Sequence, residues 1–117
     1  FHVSFIPKRD PARDWTKPQD GTAPAADWRG VHTFAELPHV VNPARGWVYN
    51  TNNSPWSVVG EGSPRARDFP SYVDRVGENP RGLHALKVLA DRRGWTMASL
   101  HEAAYDPELT AFAALVP

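Results

Sequence analysis

The chain has 117 residues, 41% apolar and 22% charged, with 13 basic side chains balancing 13 acidic ones. This is the composition of one folded segment. It excludes a disordered tail, a membrane helix of ~18 consecutive apolar residues, and the counterion-release binding on which nucleic-acid proteins rely. Cysteine is absent, which removes a disulfide framework and thiolate metal sites. Proline, at 12 residues, is about twice its usual ~5% share, and tryptophan occurs five times. Long irregular segments pinned by proline and held by aromatic anchors are expected. The start at Phe1, with neither Met nor leader, reads as an excised or processed piece.

Residues 1–30 are expected to form an extended wrap. Phe1–Ile6 is a short strand candidate, and Asp10-Pro11 and Asp20-Gly21 are turn signals, because Asp bonds its own backbone and Gly accepts positive φ. Trp15 and Trp28 are the candidate anchors. Residues 31–59 read as β-rich: Val31–Phe34 alternates, Val40-Val41 precedes the Asn42-Pro43 turn, and Gly46–Asn52 carries Trp47, Val48, Tyr49 and Thr51 suited to a pleated strand. Residues 60–80 form a Gly/Pro-rich loop. Residues 81–117 turn helical. Leu83, Leu86, Leu89 and Ala90 make an apolar stripe, Thr96 caps a second helix, and Asp106 with Pro107 starts a third. The fold class is α+β. Loops this long around so few apolar elements point to a missing partner surface.

Most catalytic signatures are absent. Gly60-Glu61-Gly62-Ser63 is not a phosphate loop, no G-x-S-x-G elbow occurs, and the five histidines show no HExxH spacing. Asn52-Asn53-Ser54 matches a glycosylation acceptor, discounted because proline follows. The segment that stands out is Asn50-Thr51-Asn52-Asn53-Ser54-Pro55-Trp56. Asparagine is depleted in strands, so three amides at a strand end have two readings. They either cap free backbone groups in a turn, or one of them donates a neutral N–H to a developing oxyanion. Residue chemistry alone leaves both open.

Asp27–Gly30, Glu36-Leu37-Pro38, Asn42–Trp56 and Gly77–Gly82 together resemble the penicillin acylase family of N-terminal-nucleophile amidohydrolases, which includes acyl-homoserine-lactone and cephalosporin acylases. Asp10–Pro18 is similar to the preceding segment in one branch. The resemblance covers nearly the whole chain. It implies a fragment of the β chain of an αββα hydrolase that cleaves an N-acyl amide through an acyl-enzyme. It assigns the oxyanion donor to Asn52 and the active-site arginine to Arg81, with Arg75 competing; Trp47 and Trp56 are candidate substrate-binding residues, with core or pocket-wall packing as the alternative. Catalysis needs no cofactor. Some members bind a structural calcium through a proline carbonyl and a loop Asp, matched here by Pro11 and Asp68. Phe1 has no nucleophilic side chain, so a Ser, Cys or Thr must come from the remainder of the enzyme, and the segment alone would be inactive. The implied partners are the α chain, the rest of the β chain and an N-acyl small molecule, and the implied setting is periplasmic or extracellular. The competing reading is a non-catalytic, Trp-rich protein-binding or structural module.

Overall fold

The structure, a computed structural model, describes residues 1–74 and 76–116. Its radius of gyration is 17.7 Å and its extents are 53 × 37 × 21 Å, against about 13 Å for a compact chain of this length. The excess follows from a small core. Leu37, Tyr49, Val58, Val59 and Val73 are the buried apolar side chains among the described residues. No helix among these residues is long and apolar enough to cross a membrane.

The N-terminal segment runs antiparallel to residues 29–40. Val3 N donates to Pro38 O, Val40 N to Phe1 O, His32 N to Ile6 O and Lys8 N to Gly30 O, at 2.9–3.0 Å. Pairing nevertheless reduces to two isolated bridges, His2 with His39 and Pro7 with Val31. Proline explains part of the gap: Pro38 accepts from Val3 N but has no N–H to return to the ladder. A 3-10 turn at Phe34–Glu36, on which the Glu36 carboxylate accepts from Thr33 N at 2.8 Å, also bends the chain out of register.

Between the two runs the wrap is a series of side-chain turns. Asp10, Asp14 and Asp20 each accept from the backbone N–H two residues on, at 3.0, 3.1 and 2.9 Å. This is the local bonding that makes Asp a turn former. Trp15 anchors the wrap through Nε1 to Asp10 O at 2.7 Å, with the Arg9 guanidinium 5.3 Å from its ring. Trp28, the other expected anchor, is 68% exposed.

The Gly46–Asn52 stretch, read from its residues as a strand, forms no ladder: residues 47–50 carry no regular structure between bends at Gly46 and at Thr51–Asn52, and Tyr49 N donates to Val58 O at 3.0 Å. β-branched and aromatic residues favour extended backbone, but a ladder needs a partner strand. Helix α1 (Pro80–Ala90) follows the loop, with Asn79 as its cap and Pro80 at the first helical position. Helix α2 (Met97–Ala104) is capped by Thr96, whose hydroxyl accepts from Ser99 N at 3.1 Å while Ser99 Oγ accepts from Thr96 N at 2.9 Å. After Asp106-Pro107 the chain makes a 3-10 run at Thr110–Ala114 that packs on α1. Asp106 uses its carboxylate on Glu108 N, 2.9 Å, in a turn instead of opening an α-helix.

Candidate active site

The amide cluster forms a loop that rises from buried Tyr49 and re-enters at buried Ser54 and Pro55, where a 3-10 turn at Pro55–Ser57 begins. Two side-chain turns interlock along it. Asn52 N donates to Asn50 Oδ1 at 2.9 Å, and Thr51 N to Asn53 Oδ1 at 2.9 Å. Asn52 lies between them with φ +64°, a left-handed conformation that Asn tolerates better than most residues. Its own side chain is exposed and makes no hydrogen bond among the described residues. The neighbouring amides hold the turn, and the apex amide is left available.

Both shoulders of the apex are tied to the start of α1. On one side Asn79 Nδ2 donates to Thr51 O at 3.2 Å, while Asn79 Oδ1 accepts from Gly82 N at 2.9 Å as the helix cap. On the other side Asn53 Nδ2 lies 3.1 Å from Ser57 Oγ, 3.0 Å from Ser54 O, 3.3 Å from Tyr49 Oη and 3.4 Å from Glu78 Oε2. Tyr49 Oη donates to Glu78 Oε2 at 2.8 Å, Ser57 Oγ donates closely to the same oxygen, and Asn79 N donates to Glu78 Oε1 at 3.0 Å. Burial pushes the Glu78 carboxyl up, but the donors Ser57, Tyr49, Asn79 and Asn53 together hold it below the usual carboxylate range. Burial, with the Glu78 charge adding to it, pushes the Tyr49 phenol up to about 12. Gly82, itself buried, backs the carboxylate: a Cβ there would lie 1.9 Å from Glu78 Oε1.

Arg81 occupies the first turn of α1, exposed and without an ionic partner among the described residues. It lines a hollow of about 290 Å³ together with Thr51, His84, Val88, Leu89 and Leu100, so it shares a wall with the amide loop. The competing Arg75 lies outside the described residues. Trp47 packs beside Tyr49, ring centroids 6.4 Å apart. Trp56 donates from Nε1 to Asp74 O at 3.1 Å and packs 5.8 Å from the Phe69 ring, an anchoring arrangement at the base of the loop. Pro11 is exposed in the wrap, and Asp68 pairs with Arg65 at 3.0 Å and lies 3.9 Å from Arg67. Asp68 is therefore already charge-compensated, and a cation there would have to displace a guanidinium. His84, Asp106 and Glu108 place ligand-type atoms within 4.8 Å of one another, but Lys87 Nζ already sits 2.7 Å from Glu108 Oε2.

Reasoning from residues did not single out Tyr49, Ser57, Glu78 or Asn79 as site components. Asn79-Pro80 carried a readable signal, an Asn cap before proline at the first helical position. The other three converge across gaps of up to 29 residues, for which no local pattern exists.

The whole chain, residues 1–117, matches the family model described as penicillin amidase. The chain belongs to that family. It is 30% identical over 103 residues to penicillin G acylase of Escherichia coli, an alignment covering 80% of this chain and 11% of the relative. The chain thus spans about a ninth of the length of that enzyme.

Proposed function

We propose that the chain is the oxyanion-donor segment of a penicillin-acylase-like amidohydrolase, part of the β chain of an αββα N-terminal-nucleophile enzyme. One observation carries the reading: Asn52 presents an exposed amide, free of internal hydrogen bonds, at the apex of a turn braced on both sides. In the reaction, an N-terminal Ser, Cys or Thr from outside the chain attacks the carbonyl carbon of an N-acyl amide, and its α-amine takes the proton. Negative charge gathers on the carbonyl oxygen, where Asn52 Nδ2–H donates without exchanging a proton. The amine leaves with the transferred proton, and water then releases the acid from the acyl-enzyme. Arg81 adds positive charge on the same side. Trp47 supports the loop from beneath, and Trp56 pins its base and walls the substrate pocket.

The substrate is an N-acyl amide, with penicillins, acyl-homoserine lactones and other N-acyl compounds as the candidate classes. The rest of the acylase supplies the nucleophile, so the segment alone is inactive, and the enzyme works in the periplasm or outside the cell. A structural calcium belongs to this reading only as far as the Pro11 carbonyl and Asp68 go, a minority of any ligand shell, and Asp68 reaches it only by leaving Arg65.

The test is Asn52→Ala in the full-length enzyme. Turnover of a chromogenic N-acyl anilide should fall by ~10²–10³ with unfolding unchanged. An unaltered rate would remove Asn52 from the chemistry.

A further inference from the structure

Glu78 touches more of the amide loop than any other carboxylate described, yet the reaction above gives it no part. Four donors, Tyr49 Oη, Ser57 Oγ, Asn79 N and, at 3.4 Å, Asn53 Nδ2, already point at it. A carboxylate so engaged has little basicity left for the reaction. Its effect is directional. An ionised carboxylate only accepts, so the Tyr49 and Ser57 hydroxyl hydrogens are both committed to it. Their lone pairs are then the only function these hydroxyls can offer Asn53, 3.3 and 3.1 Å away. This agrees with two backbone groups of fixed polarity: Asn53 turns its N–H₂ into the cluster, where Ser54 O also accepts at 3.0 Å, and its Oδ1 outward, where it accepts from Thr51 N at 2.9 Å and Thr51 Oγ1 at 3.1 Å. That bond closes the turn carrying Asn52.

We propose that Glu78 is a positioning residue, its carboxylate holding the Asn53 amide, together with Ser54 O and Thr51 N, in the orientation that directs how Asn52 presents its N–H₂. The inference rests on Asn52 being the oxyanion donor. Gly82 is the second half of the device, because only a residue without Cβ leaves room for the carboxylate at this place. A glutamine at position 78 would break the logic while keeping the shape. Its N–H₂ can donate to the hydroxyls, and the hydroxyls can then donate toward the Asn53 N–H₂, opposing the orientation that Ser54 O and Thr51 N set and loosening the turn.

The test is a double-mutant cycle in the full-length enzyme, read on chromogenic N-acyl anilides. Glu78→Gln should lower kcat about tenfold with KM within about twofold, the pattern of a misaimed transition-state contact. In an Asn52→Ala background the same change should cost less than about twofold, because the group it positions is gone. If Glu78→Gln does not fold, Gly82→Ala, which displaces the carboxylate without removing it, enters the same cycle with the same expectation. Losses that multiply across the two sites, or a kcat that Glu78→Gln leaves unchanged, would overturn the positioning role and leave the oxyanion assignment standing. A silent Asn52→Ala would overturn both.

Discussion

Gly82→Ala should change stability with opposite signs in two backgrounds. Helix propensity alone favours the substitution by up to ~1 kcal/mol, since Gly82 lies inside α1. The added methyl, however, would meet Glu78 Oε1 at 1.9 Å and Cδ at 2.6 Å, where ordinary contact begins at 3.4 Å. The glutamate can swing away cheaply, being long and largely exposed. The cost lies in what it leaves behind, two hydroxyl bonds to a charged acceptor, each worth ~1.5–3 kcal/mol and at the low end here because the carboxylate is partly wet. Once released, one of the Tyr49 and Ser57 hydroxyls, 2.8 Å apart, can donate to the other, which recovers part of the loss. The balance is a net destabilisation of about 1 kcal/mol. With Glu78→Ala already in place the obstruction is gone, and Gly82→Ala should stabilise by roughly 0.5–1 kcal/mol. Apparent Tm of the full-length enzyme at one fixed scan rate, for the wild type and three variants, reads both signs. Stabilisation in both backgrounds would mean that Glu78 does not rest against Gly82.

Two further outcomes follow. Thr96→Ala removes the hydroxyl that accepts from Ser99 N at the start of α2 and should cost ~1 kcal/mol, seen as faster amide hydrogen exchange through Met97–Leu100, while Thr96→Ser retains protection. Lys8, 2.7 Å from its carboxylate, together with Thr33 N, lowers Glu36 to about 2 from an ordinary 4.5. The folded-state value is depressed, so the contribution is present above pH 4.5 and is lost as pH falls through about 2. An acid titration of stability should be flatter in that window for Glu36→Gln, and identical curves would show that the Lys8–Glu36 pair contributes nothing.

What could be read from the residues was what depends on near neighbours. The Thr96 cap, the Asp10 and Asp20 turns and the apolar stripe of α1 each follow from bonding or spacing within four or so positions, and the structure contains each of them. Trp47–Tyr49 has strand-type side chains, yet strand pairing depends on a second segment that no local pattern specifies. The candidate site divides the same way. The Asn50–Asn53 cluster was conspicuous in the sequence, whereas the brace of Tyr49, Ser57 and Glu78 exists only once the 54–78 loop has closed.

Asn79 has two tasks, capping Gly82 N and holding Thr51 O. Loosening of the amide loop and fraying of the first turn of α1 are therefore one event. Helix ends open far more often than whole proteins unfold, at a fraction of the global free energy. The position of Asn52 thus has the lifetime of a helix end, not of the fold, and under the proposed oxyanion role, turnover should begin to decline on warming while the enzyme is still folded.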